Sequence, residues 1–332
     1  MKIAYLGAGA WGFCLANLLA GKGYDVFLWT GNLSLADVLK RGETHPKLRD
    51  HKAEENLYLT TDLNEALEDA DFIIESVTSK GLRPVLEMVK ETGLTGPPLI
   101  LTSKGIEQNT CLLMSEVAIE IFGEEYKNRI GTISGPSLAN EVMQKLPTSV
   151  VAAAYNPDLA LQIVDLFSTP FFRVYPNDDV PGVSFGGAMK NIIAIACAIS
   201  DGLGFGENTK AALMTRGLHE IRKLSIVKGC RPETLSGLSG MGDLCATCLS
   251  TLSRNYIFGK LLAEGLTPEE AREKIGMVVE GAYTCVSALQ LSRKANVPVP
   301  ITEAVYSIIY EGLNSKEAVE ALLTRAVKQE HL

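Results

Sequence analysis

Two features of the sequence could do chemistry. The first is Gly7-Ala8-Gly9-Ala10-Trp11-Gly12, which fits the spacing G-x-G-x-x-G. It follows the apolar run Lys2–Leu6 and opens an Ala- and Leu-rich stretch, so it reads as strand, tight turn and helix start. The first glycine permits the turn, the second lets the backbone approach a pyrophosphate, and the third allows helix and strand to pack closely. The helix N-terminus then offers free N–H groups and the positive end of its dipole to phosphates. The implied chemistry is dinucleotide binding, and a purely structural glycine turn is the plain alternative. Trp11 is placed either to touch the cofactor or to sit as a partly exposed aromatic at the helix start.

The second feature is a series of segments dense in Gly, Ser, Lys and Asn. Thr102-Ser103-Lys104-Gly105-Ile106-Glu107 and Ser134-Gly135-Pro136-Ser137-Leu138-Ala139-Asn140-Glu141 each follow an apolar run of strand length. The carboxyl ends of strands are where open α/β sheets bind ligands. Gly186-Gly187-Ala188-Met189-Lys190-Asn191 opens a helical stretch, and Lys190 runs directly into the apolar Ile192-Ile193-Ala194-Ile195-Ala196. Such a lysine either snorkels to the surface or is held in a cleft with a depressed pKa, the state suited to proton transfer.

Cofactor choice is read at the end of the second strand, where an acidic residue would bond a ribose 2′-OH. The chain has Trp29-Thr30-Gly31-Asn32 there, and Asp25 lies at the wrong end of the strand. With neither a carboxylate to repel a 2′-phosphate nor an arginine to attract one, use of both NADH and NADPH is expected.

The elements that must position these residues follow from periodicity. From residue 2 to about 176, strand-length apolar runs alternate with helical patterns. Lys2–Leu6, Asp25–Thr30, Asp71–Val77, Leu99–Thr102, Ile130–Ser134, Val150–Ala154 and Phe172–Tyr175 read as strands, with a helix over Trp11–Leu19. Alternating units of this kind imply a parallel sheet covered by helices on both faces. After Pro176-Asn177-Asp178-Asp179, helical patterns dominate: Gly187–Ser200, Lys210–Lys228, Arg254–Ala263, Pro268–Ile275, Tyr283–Lys294, Ile301–Tyr310 and Ser315–Thr324. Thr267-Pro268-Glu269-Glu270 is a well-formed helix start. The expected architecture is α/β: an N-terminal Rossmann-type dinucleotide-binding domain over 1–180, then an all-α domain over 181–332. The active site is expected in the cleft between them, with Lys104 and Lys190 on different domains.

With 46% hydrophobic and 21% charged residues, the 332-residue chain can build two cores and leaves little for disordered tails. The net charge of -8 disfavours nucleic acid as a partner, so an anionic substrate needs a local cluster of Lys and Arg. The N-terminus lacks the long apolar stretch of a secretory signal, and Ile192–Ile199 is well short of the ~20 residues that span a bilayer. A soluble, cytoplasmic protein is expected. Seven scattered cysteines fit free thiols rather than a disulfide framework. Cys245 and Cys248 resemble a redox or metal pair, but no second pair or His cluster accompanies them, and no metal is expected.

Taken together and in order, GAGAWG, TSKGIE, ISGPSLANEV, GGAMKN, SDGLGFGENTKAALMTRGL, GLSGMGDL, SRNYIFG and VVEGAYT resemble NAD(P)-dependent glycerol-3-phosphate dehydrogenase of the bacterial type, from Ile3 to about Arg325. The resemblance implies reduction of dihydroxyacetone phosphate to sn-glycerol 3-phosphate with NAD(P)H, supply of glycerophospholipid synthesis, and a homodimer. It implies Lys190 as the catalytic proton donor and acceptor, and Lys104 as a catalytic lysine touching cofactor and substrate. Gly135, Asp243, Ser253, Arg254 and Asn255 correspond to substrate contacts. Gly7, Gly9, Ala10, Trp11, Gly12, Gly135, Ser137, Ala139, Arg254, Val278 and Glu280 correspond to cofactor contacts.

The chemistry suits these residue types. Hydride reaches a ketone carbon, an alkoxide develops, and a positioned ammonium stabilises it and donates the proton. A guanidinium grips phosphate through its bidentate fork, which Arg254 would supply beside the Asn255 amide. Histidine could also transfer the proton, but His45, His51, His219 and His331 lie outside the Gly-rich motifs. The plain alternative for Arg254 is a solvated surface charge, and for Asp243 a turn residue bonding its own backbone. Departures are Gly31 and Asn32, where many members carry a basic residue, and Tyr256, where some carry a second one. Two rival readings are a 6-phosphogluconate-type β-hydroxyacid dehydrogenase, separable by a panel of hydroxy acids, and a non-catalytic NAD(P)H sensor, separable by an absorbance assay at the nicotinamide band.

Overall fold

The computed structural model describes residues 1–48, 51–94 and 96–326. His331, and the end of the second expected domain over 327–332, lie outside the described residues. The chain forms two compact units: Met1–Ser103 with Met114–Val180, and Lys104–Leu113 with the chain from Pro181 onward.

Among the described residues the first unit holds eight strands: β1 (Lys2–Leu6), β2 (Asp25–Trp29), β3 (Leu57–Thr60), β4 (Phe72–Glu75), β5 (Leu99–Leu101), β6 (Ile130–Ser134), β7 (Thr148–Ala154) and β8 (Phe172–Asn177). They lie side by side in the order β3-β2-β1-β4-β5-β6-β7-β8. Ile3, Ala4, Tyr5 and Leu6 of β1 are all buried, as a strand covered on both faces requires. The sheet is parallel, as expected, except at one pair. β7 runs antiparallel to β6, with Gly131 opposite Ala154 and Ser134 opposite Val151. The only helix between them, Ala139–Met143, is little more than a turn, too short to carry the chain back along the sheet. The order reverses between β1 and β4, so the crevice at their carboxyl ends is the ligand position of an open α/β sheet.

The second unit is helical. Its core is built around the helix Val180–Gly202, whose Ile192, Ile193 and Ile195 cluster with Leu244, Phe258 and Ala288 from other helices. That helix is longer than the expected Gly187–Ser200 and, by length and composition alone, would cross a membrane; 89% of its apolar window is buried inside the protein, as for a core helix. The helix start at Thr267 is a capping box: Thr267 Oγ1 accepts from Glu270 N at 3.2 Å, and Glu270 Oε2 accepts from Thr267 N at 2.8 Å.

Residues 104–113 belong to the helical unit, so Lys104 and Lys190 share one unit, which corrects their expected separation. The physical reason is packing and hydrogen bonding. Ile106, Cys111 and Leu113 are buried in the helical core. The Ile106 carbonyl accepts from Ser287 Oγ at 2.7 Å, Gln108 Nε2 donates to the Tyr283 carbonyl at 3.0 Å, and Asn109 N donates to Gln290 Oε1 at 2.8 Å.

Candidate active site

The phosphate turn is built by close backbone approach. Gly7 has φ of +107°, and its N–H donates to the Trp29 carbonyl at 2.9 Å. A Cβ on Gly12 would lie 1.9 Å from the Gly7 carbonyl oxygen, so the helix can start this close to the strand only with glycine there. Helix Ala10–Gly21 begins after Gly9 with no side-chain cap and no acidic residue in its first turn. A Cβ on Gly9 would meet nothing within 4 Å. An uncapped helix N-terminus behind an open glycine fits a pyrophosphate. Ala10 and Trp11 stand half-buried in that first turn. His45, set aside at the sequence level, packs here: its Nε2 lies 3.1 Å from the Ala8 carbonyl while its Nδ1 accepts from Lys47 N at 3.1 Å. Those partners assign the neutral ring with the proton on Nε2, and burial lowers its pKa.

At the end of β2, Thr30 is buried and its Oγ1 accepts from Asn32 N at 3.2 Å. Asn32 is the N-cap of helix Leu33–Lys40, its Oδ1 accepting from Leu35 N at 3.0 Å, so its side chain already has a structural use. Gly31 is exposed and a Cβ there would make only ordinary contact with Trp29 at 3.9 Å. After β6, Gly135 has φ of +143°, and its carbonyl accepts from Ser137 Oγ at 2.9 Å. Ala139 starts the next helix, and its carbonyl accepts from Cys14 Sγ at 3.6 Å.

The helical unit gathers the charged residues. Lys190 is buried on helix Val180–Gly202, and Asp243 is 1% exposed at the start of helix Asp243–Leu249, after one wide π-helical turn over Leu238–Gly242. Both lysines converge on this one carboxylate: Lys104 Nζ lies 2.7 Å from Asp243 Oδ2, and Lys190 Nζ donates to Oδ1. Lys190 Nζ also donates to Thr247 Oγ1 at 2.8 Å, and that hydroxyl donates to the Asp243 carbonyl at 2.7 Å. Gly186 makes the convergence possible. A Cβ there would lie 2.5 Å from the Ser239 carbonyl oxygen, so only glycine lets the Lys190 helix dock against the turn that carries Asp243. Burial pulls the Lys190 ammonium down to about 8, with Asp243 opposing and Lys104 adding to the fall.

A second cluster stands one residue on from the first. Asn255 Nδ2 donates to Asn191 Oδ1 at 2.9 Å, and Asn255 Oδ1 accepts from Gly281 N at 2.9 Å. Ser253 caps helix Arg254–Ala263, and Arg254 is exposed with its guanidinium donating to the Val278 carbonyl at 3.1 Å. Val278 is 48% exposed and Glu280 opens the helix Glu280–Ala295. Thr247 and Asn191 were missed at the sequence level. Each had a signal: Thr247 is four residues beyond Asp243 on one helix face, and Asn191 follows Lys190. Cys245 is half-exposed, while Cys248 is buried with its thiol pushed up by a hydrogen bond to Cys197 and by burial.

A family model described as NAD-dependent glycerol-3-phosphate dehydrogenase N-terminus matches residues 2–160, and its C-terminal counterpart matches residues 179–320. The chain is similar to a glycerol-3-phosphate dehydrogenase (NAD(P)+) of Protochlamydia amoebophila, 58% identical over 331 residues that cover 100% of this chain and 99% of that protein. A protein of the same name from Chlamydia felis is 54% identical over 331 residues, with the same coverage. Among solved structures, the glycerol-3-phosphate dehydrogenase of Coxiella burnetii superposes with a TM-score of 0.93 at 38% identity, covering 98% of this chain and 99% of that one.

Proposed function

Because this chain belongs to the NAD-dependent glycerol-3-phosphate dehydrogenase family, we propose that it reduces dihydroxyacetone phosphate to sn-glycerol 3-phosphate, reversibly, with NAD(P)H. The observation that carries the chemistry is the pair of ammonium groups on the buried Asp243 carboxylate. Bound reduced nicotinamide supplies the hydride. The turn Gly7–Gly12 would hold the pyrophosphate, with Gly135, Ser137 and Ala139 of the same unit as further nucleotide contacts.

Lys190 gives its proton to the ketone oxygen as negative charge develops there, and takes it back in the oxidation. A pKa near 8 suits both directions, since the group is mostly protonated at neutral pH yet gives up its proton readily. Asp243 holds the ammonium in place, and Thr247 limits its rotation. Lys104, on the same carboxylate, adds a second positive charge facing the substrate oxygens. Ser253, Arg254 and Asn255 take the phosphate: the guanidinium supplies the fork, the Asn255 amide is oriented by Asn191, and the helix start at Arg254 contributes N–H groups. We further propose two folding domains divided near residue 180, a cytoplasmic homodimer, and a role in supplying glycerophospholipid synthesis.

The test is loss of nicotinamide absorbance on adding dihydroxyacetone phosphate, with Lys190→Ala beside the parent. The variant should bind NADH normally and turn over about 10² slower or worse. Turnover near the parent's would remove Lys190 from the mechanism.

A further inference from the structure

One buried acid has no place in the chemistry above. Glu75 is the last residue of β4, fully buried between Leu6 of β1 and Leu101 of β5. An apolar residue would fill this strand end without the penalty of burying a carboxylate. Its oxygens are instead surrounded by donors. Oε1 accepts from Ser103 Oγ at 2.7 Å, from Ser103 N at 3.2 Å and from Thr102 N at 3.2 Å; Oε2 accepts from Val77 N at 3.1 Å. The Glu75 carbonyl accepts again from Thr102 Oγ1 at 2.7 Å. Burial pushes the acid up to about 7 while these donors pull it down. The Val77 bond fixes one oxygen, so the other is a rigid anchor for the chain leaving β5.

That chain is Thr102-Ser103, and the next residue is Lys104. Tyr5 Oη lies 2.7 Å from Ser76 Oγ, which in turn is hydrogen-bonded to Thr102 Oγ1, so the exits of β1, β4 and β5 form one polar network with Glu75 at its base. We propose that Glu75 is a positioning residue for the reduction, clamping the Thr102–Ser103 backbone from which Lys104 projects. The inference rests on the role given to Lys104 under the proposed function.

The experiment is a mutant cycle on the full-length enzyme at saturating NADH, reading kcat and KM for dihydroxyacetone phosphate together with Tm. Glu75→Gln keeps the shape of the side chain and replaces one acceptor oxygen with an amide. It should lower kcat/KM about tenfold or more. In a Lys104→Ala background the same change should cost less than about twofold, because the residue it acts through is gone. Ser103→Ala removes one anchor bond, and should lower kcat/KM in the same direction by a smaller factor, again only when Lys104 is present. It also carries the test if Glu75→Gln fails to fold. A lower Tm with kcat/KM within about twofold of the parent, or losses that multiply fully with Lys104→Ala, would overturn the inference while leaving Lys104 in place. If Lys104→Ala alone keeps parental kcat/KM, the underlying reading of Lys104 fails, and the inference fails with it.

Discussion

Replacing Asp243 by Asn removes one negative charge from between two ammonium groups while keeping a side chain of the same shape. Lys104 Nζ is 2.7 Å from Asp243 Oδ2, Lys190 is bonded to the other oxygen, and the carboxylate is 1% exposed. At an effective dielectric of ~20, opposite charges about 4 Å apart attract by about 4 kcal/mol, and a nearby opposite charge moves a pKa by roughly 1 to 3 units. Lys190 stands at about 8, with Asp243 the main influence raising it. Without Asp243 it should fall to between about 5 and 7. Under the proposed role of Lys190 reduction needs the ammonium, so its kcat/KM should decline as pH rises through about 8 in the parent and through roughly 5 to 7 in the variant. The rising limb of the reverse oxidation should move by the same amount. At pH 7.5 the protonated fraction of Lys190 would drop by roughly 3-fold to more than 100-fold over that range. The assay is the pH profile of kcat/KM in both directions. Inflections that stay near 8 in the variant would show that Asp243 is not the charge that holds Lys190, and the account of the site would have to be rebuilt.

Three further outcomes are expected. Arg254→Ala should raise KM for dihydroxyacetone phosphate by roughly 10- to 150-fold, the equivalent of about 1.5 to 3 kcal/mol for a charged hydrogen bond, with a much smaller effect on unphosphorylated dihydroxyacetone; equal losses on both substrates would take Arg254 off the phosphate. The parent should oxidise both NADH and NADPH, and Gly31→Asp should shift preference to NADH with a NADPH penalty that shrinks in high salt; Gly31 is exposed and outside the left-handed region, so the change adds no backbone strain. Glu220 accepts from Ile301 N at 2.7 Å at the start of helix Pro300–Tyr310, and burial raises its pKa from 4.5 to about 7. A raised acid contributes stability that is complete below its unfolded pKa and lost as pH climbs through the folded one. The Tm of Glu220→Gln relative to the parent should therefore rise from pH 5 to pH 8, and a constant difference would refute the assignment.

The sequence made strands legible where apolar runs stand clear of their surroundings, and β1 and β6 have the bounds that their composition implies. β3 was not legible, because Leu57-Tyr58-Leu59-Thr60 is short and follows the polar run Glu54–Asn56. Helix Ser79–Glu91 carries Pro84 in its interior, which reads as a break. Helix Val180–Gly202 begins earlier than its pattern suggests, since Gly186 and Gly187 depress helix propensity and only burial restores it. The site divides along the same line. A turn such as Gly7–Gly12 is local, so spacing alone announces it. The meeting of Lys190 with Asp243, 53 residues apart, has no period to read. Motif resemblance supplied those residue names, but it could not say that one carboxylate serves both lysines, nor that Lys104 packs into the helical unit. Both facts come from tertiary contacts: Ile106 and Leu113 buried in the helical core, and Gly186 against the Ser239 carbonyl. Gly186 thus bears on the geometry of the Lys190–Asp243 pair through backbone packing alone. A methyl group there must push the Lys190 helix away from Asp243, so Gly186→Ala should change the pKa of Lys190 as well as the stability of the fold, and the two effects share one cause.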